Sequence, residues 1–182
     1  MWDEEINRGY QRKERKTKTA QQALSALMAL CAKAEKSSGD ARRLMTQWGV
    51  AKEEQGAVLE RLQKERFIDD ERYAAAFVRE KTRLNGWGEY KIRMQLGLKG
   101  VPKEIIENEL EGLRSAEGRE SMREKLDELM RKRLRTTKYT TQQQLREKLT
   151  RYGSGLGYDY GTVSAAVTNA LTRLEEEREE DE

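Results

Sequence analysis

Apolar residues recur at spacings of three and four along most of the chain, from Leu24 to Leu174, which is the period of one buried face on an α-helix. Strict alternation, the mark of a half-buried strand, is absent. The stripes fall into three sets of three. The first set is Leu24, Leu27, Met28 and Cys31, then Leu44, Met45 and Trp48, then Val58, Leu59 and Leu62. The second is Tyr73, Phe77, Val78 and Leu84, then Ile92 and Leu96, then Ile106, Leu110 and Leu113. The third is Met122, Leu126, Leu129, Met130 and Leu134, then Leu145 and Leu149, then Val163, Val167, Leu171 and Leu174.

The pattern predicts nine helices, and its punctuation repeats with it. Each middle helix ends in a glycine shortly before a new helix begins, at QWGVAKEE, LKGVPKEI and TRYGSGLGYDYGT; Gly49 and Gly100 lie 51 residues apart and Gly153 follows after 53. A period of that size signals tandem helical repeats. A unit of about 50 residues has a thin core of its own, so neighbours are expected to stack and share apolar faces. The predicted fold is all-α, an elongated, curved array of three tandem three-helix repeats. Its parts are a flexible basic arm (1–19), repeats at 20–68, 69–114 and 115–174, and an acidic tail (175–182).

Local chemistry fits these boundaries. Asp69 or Asp70 can accept backbone N–H bonds as an N-cap, and with no histidine or clustered carboxylate beside them capping is preferred to a metal or acid/base role. Pro102 suits a helix start, where its missing N–H is harmless. Gly100 can take the left-handed conformation that ends the middle helix.

The middle helix of the second repeat, inside NGWGEYKIRMQLGLKGVP (residues 85–102), carries more apolar positions than one face needs. At 100° per residue Ile92 and Leu96 lie together, while Met94 and Leu98 fall on the opposite side. The helix is therefore expected to be wedged between neighbours, with Arg93 and Gly97 on a strip between the two faces. On an open strip a partner could approach the Gly97 backbone while Arg93 finds phosphate or carboxylate. On a closed one, Gly97 admits a neighbouring helix. Trp87, between two glycines, either plugs the joint between units or stands out for a contact, and plugging is preferred.

Composition sharpens this. Hydrophobic residues make up 36% of the chain and charged ones 38%, which favours thin helical layers over one thick core. The 182 residues carry a net charge of +3, but the last eight, EEEREEDE, hold seven acids and one arginine; the remainder has 35 basic against 26 acidic residues, or +9. Such a body suits a polyanion or an acidic protein groove. The acidic tail could screen it in cis.

Histidine is absent and Cys31 is the one cysteine, so a histidine general base or metal ligand, a Cys/His pair and an internal disulfide are excluded. Cys31 lies on a core stripe and reads as packing. No cofactor, metal site or catalytic residue is expected. RKERKTK followed by ALSALMALCAKA has the outline of an export signal, but Gln21, Gln22 and Ser25 break it and Leu30 precedes Cys31 where a small residue is wanted. No run reaches the ~18 apolar residues of a membrane span, and a cytoplasmic chain is expected.

Basic clusters differ in what they imply. In the helix around RKRLR, Glu120, Glu124, Asp127 and Glu128 precede Arg131, Lys132, Arg133 and Arg135, an order that complements the helix dipole and predicts i,i+4 pairs such as Asp127 with Arg131. RKERKTK has no such explanation and reads as an arm able to reach phosphates.

The stretch FIDDERYAAAFVREKTRLNGWGEYKIRMQLGLKGV (67–101) resembles the RecX family of bacterial regulators of the recombinase RecA. The residues that carry the resemblance are Asp70, Glu71, Arg72, Tyr73, Ala74, Gly86, Gly88, Lys91, Ile92, Leu96, Lys99, Gly100 and Val101. It extends more weakly over about residues 20 to 174. Departures are Glu89, where a proline or basic residue is frequent, a glycine-rich loop from Gly153 to Gly157, and the acidic tail. The resemblance implies a monomeric, non-enzymatic array that lies along the groove of a RecA–DNA filament and restrains its ATPase, strand exchange and coprotease activities in DNA repair and recombination. Implied partners are the RecA nucleoprotein filament and single- and double-stranded DNA, without a membrane. Candidate contacts are Arg42 and Arg43 in the first repeat, Arg72, Arg79, Arg83, Trp87, Lys91, Arg93 and Lys99 in the second, and Arg131 and Arg135 in the third. The competing reading is a helical nucleic-acid-binding protein that acts without RecA, since three-helix units also resemble helix-turn-helix modules.

Overall fold

The computed structural model describes residues 17–180, with the side chains of Arg178 and Glu180 left aside. Residues 1–16 of the basic arm (1–19) and the last two residues of the acidic tail lie outside the described part. Nine helices and no strand occur among the described residues: α1 (Ala20–Cys31), α2 (Ser38–Gln47), α3 (Lys52–Lys64), α4 (Asp70–Arg83), α5 (Glu89–Leu98), α6 (Lys103–Arg114), α7 (Ala116–Thr136), α8 (Gln142–Gly155) and α9 (Tyr160–Glu180). They fall into two compact units that divide at Asp69/Asp70.

The first unit holds α1 to α3 around Leu24, Leu27, Met45, Leu59, Leu62 and Ile68, with Cys31 packed half-buried at the edge. Its helix starts follow capping chemistry. Thr19 and Gln22 form a reciprocal box on α1, and the Ser37 hydroxyl accepts from Asp40 N–H at 3.1 Å on α2. Gln55 is buried but satisfied, since its Nε2 donates to the Val50 carbonyl at 3.1 Å.

The second unit holds two further triplets, each with its own buried cluster. Ile92, Leu96, Val101, Ile106 and Leu110 centre the α4–α6 core. Leu126, Met130, Leu145, Leu149, Val163 and Val167 centre the α7–α9 core. The two buried clusters are separate, and side-chain contact between the triplets runs through Leu129 of α7, which packs where Gly86 lacks a side chain. The joint also pairs backbone with backbone: Gly88 N–H donates to the Leu156 carbonyl at 2.7 Å and Tyr90 N–H to Gly157 at 3.3 Å. A β-carbon on Gly88 would collide with the Gly157 carbonyl, and one on Gly157 with the Lys91 backbone, so glycine at both positions is what lets the two turns touch.

Three other expectations change. Gly49 and Gly100 have φ of +70° and +71°, and the residue that matches them in the third triplet is Gly157, at +89°. Gly153 is helical: the predicted glycine-rich loop is the last turn of α8, where a β-carbon on Gly153 would meet Met130 Cε at 2.5 Å. Leu84, placed in the core by its spacing, is 75% exposed because α4 ends at Arg83 and the chain turns away. The Asp127–Arg131 pair does not form; Glu128 instead binds Lys125 at 2.9 Å and Lys132 at 2.5 Å.

Candidate partner-binding surface

α5 contributes a single core face. Ile92 and Leu96 are fully buried, whereas Tyr90, Met94 and Leu98 are 68%, 45% and 65% exposed, so the helix is not wedged between neighbours as its two-sided pattern suggested. Tyr90, Met94 and Leu98 are spaced by four and form one stripe. Gly97 lies beside that stripe, and a β-carbon there would meet nothing within 4 Å. The strip is open.

Arg93 is committed elsewhere. Its guanidinium binds Glu89, one turn back, and Glu107 of α6 at 2.8 Å, and Arg114 binds the same two carboxylates at 2.7 and 2.6 Å. These four charges clasp α5 to α6. Hydrogen bonds from Arg93 and then Arg114 hold Glu107 down at about 2. Burial pulls Glu89 the other way, but the bonds from Arg114 and Arg93 outweigh it and its carboxyl titrates below the ordinary range. Glu89, a departure from the family pattern, is thus the first carboxylate of the clasp. Its i,i+4 spacing to Arg93 was legible; Glu107 and Arg114, on another helix, were not.

Trp87 is half-buried against its own triplet, edge-on to Phe77 at 6.1 Å. Lys91 and Lys81 lie over its ring at 4.6 and 5.4 Å, and Lys91 Nζ also donates to the Gly155 carbonyl at 2.9 Å. Trp87 and Lys91 therefore brace the turn that meets the third triplet.

The remaining candidates are distributed as follows. Arg72, Arg79 and Arg83 are exposed on α4, and at 100° per residue they fall within about 40° of one another. Arg83 and Arg131 line the same groove between α4 and α7, along with Glu124 and Glu128. Arg135 is exposed one turn beyond Arg131. Lys99 is half-buried at the C-cap of α5. In the first unit Arg42 is exposed on α2 and Arg43 is ion-paired with Asp40. The structure thus brings the α4 arginines into one row, places the clasp and the apolar stripe on the adjoining helix, and leaves Arg42 and Arg43 in the other unit. No group of metal-ligating side chains occurs among the described residues, and none of their helices is long and apolar enough to cross a membrane.

Residues 69–110, which span α4, α5 and most of α6, match the model of the RecX second three-helix domain. The resemblance to the RecX family holds. A protein of Clostridium botulinum named Regulatory protein RecX is 32% identical over 112 residues, covering 60% of this chain and 50% of that one. Its namesake in Streptococcus agalactiae is 26% identical over 124 residues, covering 68% and 46%. The RecX-like chain thus spans about half the length of these curated relatives. The crystal structure of RecX from Lactobacillus salivarius superposes with a TM-score of 0.70 at 15% identity, covering 84% of this chain and 97% of that one, which establishes the shared all-α fold.

Proposed function

We propose that the chain is a non-enzymatic regulator that binds along RecA–DNA filaments and inhibits their ATPase, strand exchange and coprotease activities. The observation that carries this reading is the RecX second-domain match, which falls on the helices that combine an open apolar stripe with a row of arginines. A filament of protein and nucleic acid offers a surface for each. The apolar stripe Tyr90–Met94–Leu98 takes the protein, because exposed contiguous apolar surface on a charged chain marks a protein contact. Arg72, Arg79 and Arg83 take phosphates, whose neutralisation releases counterions. Arg93 serves the α5–α6 clasp, while Trp87 and Lys91 hold the turn in shape.

The reading of a DNA binder independent of RecA is supported by the α4 arginine row, which by itself needs only a polyanion. Binding to bare single-stranded DNA and to RecA–DNA filaments across a salt series separates the two. The regulator prefers the filament and slows its ATP hydrolysis. Equal affinity for both, with a steep salt slope and unchanged hydrolysis, would leave the simple DNA binder.

A further inference from the structure

The third triplet carries, among the described residues, a concentration of unpaired positive charge. Arg131 and Arg135 of α7 and Arg173 of α9 line one small cleft of about 100 Å³, together with Tyr139 and Glu177. All three arginines are exposed, and none has a carboxylate within 4.0 Å among the described residues, whereas Arg43, Arg61, Arg93, Arg114 and Arg123 each do. Three like charges around one cleft repel each other, and the single carboxylate in its lining, Glu177, leaves an excess of positive charge there.

The acidic run lies beside them. α9 continues to Glu180, although carboxylates at a helix C-terminus oppose the dipole and Glu–Glu spacings of four are unfavourable. Its end is held by neighbours: Glu175 accepts from Gln142 Nε2 at the start of α8, at 2.6 Å, and Glu177 faces the arginine cleft. Glu177 lowers the local potential from the cleft wall, yet makes no ion pair with the arginines among the described residues.

We propose that Arg131, Arg135 and Arg173 form a phosphodiester-binding site at the end of the third triplet, for which the acidic end of α9 competes in cis. Guanidinium forks match phosphate oxygens bidentately, and the half-buried Tyr139 forms part of the cleft wall. The ligand is a polymer of phosphodiesters, and single-stranded DNA is the one the proposed function brings to the chain. The α9 carboxylates compete by charge, so the site opens fully only to a ligand dense in phosphates. The inference takes DNA as its polyanion from the reading above, but its test contains no RecA.

The test is anisotropy of a labelled oligo-dT against the full chain at several salt concentrations. R131Q/R135Q/R173Q is expected to bind roughly tenfold or more weakly and to lose about 2 from the salt slope, at ~0.7 per phosphate for single strands. The corresponding lysine variant keeps most of the slope, and R135Q alone shows a smaller loss should the triple variant fold poorly by circular dichroism. Glu→Gln at 175, 176, 177 and 179 is expected to tighten binding several-fold, and the gain disappears when the three arginines are also replaced. Unchanged oligo-dT binding by the arginine variants overturns the site. Unchanged binding by the glutamine variant overturns the competition. A poly-glutamate peptide that outcompetes oligo-dT at equal charge overturns the choice of nucleic acid. Filament binding retained under any of these results leaves the proposed function standing.

Discussion

The middle helices of the two triplets in the second unit bury the same pattern and expose opposite ones. α5 buries Ile92 and Leu96 and α8 buries Leu145 and Leu149, each pair four residues apart and fully buried. Outward, α5 presents Tyr90, Met94 and Leu98, while α8 presents Gln142, Gln143, Arg146, Glu147 and Arg151. Packing a three-helix core constrains about two positions on a short middle helix and leaves the others to diverge. Similar cores therefore coexist with an apolar outer face in one copy and a polar one in the other. The arginines divide in the same way: the α5–α6 pair closes its charges into a clasp, and the α7–α9 end leaves three open.

The largest effects test what the two triplets share, which is their joint. Gly157→Ala puts a β-carbon onto the Lys91 backbone at a φ of +89° and is expected to cost about 3 kcal/mol, read from the midpoint of urea unfolding. Gly155→Ala, two residues earlier with nothing within 4 Å, is its control and should unfold no earlier than the parent chain. If the cores are equivalent, Ile92→Ala and Leu145→Ala should each lose about 2–5 kcal/mol in the same assay. A difference between them beyond that range would break the parallel.

Smaller changes address where they differ. Gly97→Ala adds a helix-favouring methyl in open space and should raise stability by about 0.5–1 kcal/mol, while the reading of an open strip predicts weaker filament binding. Lost stability would place a neighbour where none is found. The smallest effect is that of acid. Glu107 in the clasp and Glu128 on α7 both titrate at about 2, below their ordinary 4.5. Folded values below the unfolded ones mean that these pairs stabilise the fold above about pH 4.5 and cease to as pH falls through about 2. Glu107→Gln should flatten the loss of stability over that interval, measured by thermal unfolding at stepped pH.

Core positions and the three-helix period were legible because burial imposes a spacing that survives in any sequence. Gly100 and Gly49 were legible as helix terminators for a similar local reason. What escaped depended on tertiary neighbours. The second apolar face of α5 reads like a buried one, since spacing alone does not say whether anything lies opposite it. Gly153 resembled the terminator, but Met130 packs against it inside a continuing helix, and Gly157 takes the left-handed turn. Arg93 looked available to a partner because Glu107 and Arg114, 14 and 21 residues away, meet it only after α5 and α6 pair. Arg173 gives no signal of its own in the sequence, for it joins Arg131 and Arg135 only when α7 and α9 lie side by side.

The proposed function puts a filament on the outer face of α5. ATP hydrolysis by RecA on single-stranded DNA, titrated with the parent chain and with a Tyr90→Ser/Met94→Ser variant, tests it most directly. Both side chains are largely outside the core, so the variant should fold with the parent's unfolding midpoint. The parent chain is expected to slow hydrolysis and the variant to require at least tenfold more protein for the same effect. Equal inhibition by the two, or none by the parent chain, would contradict the claim.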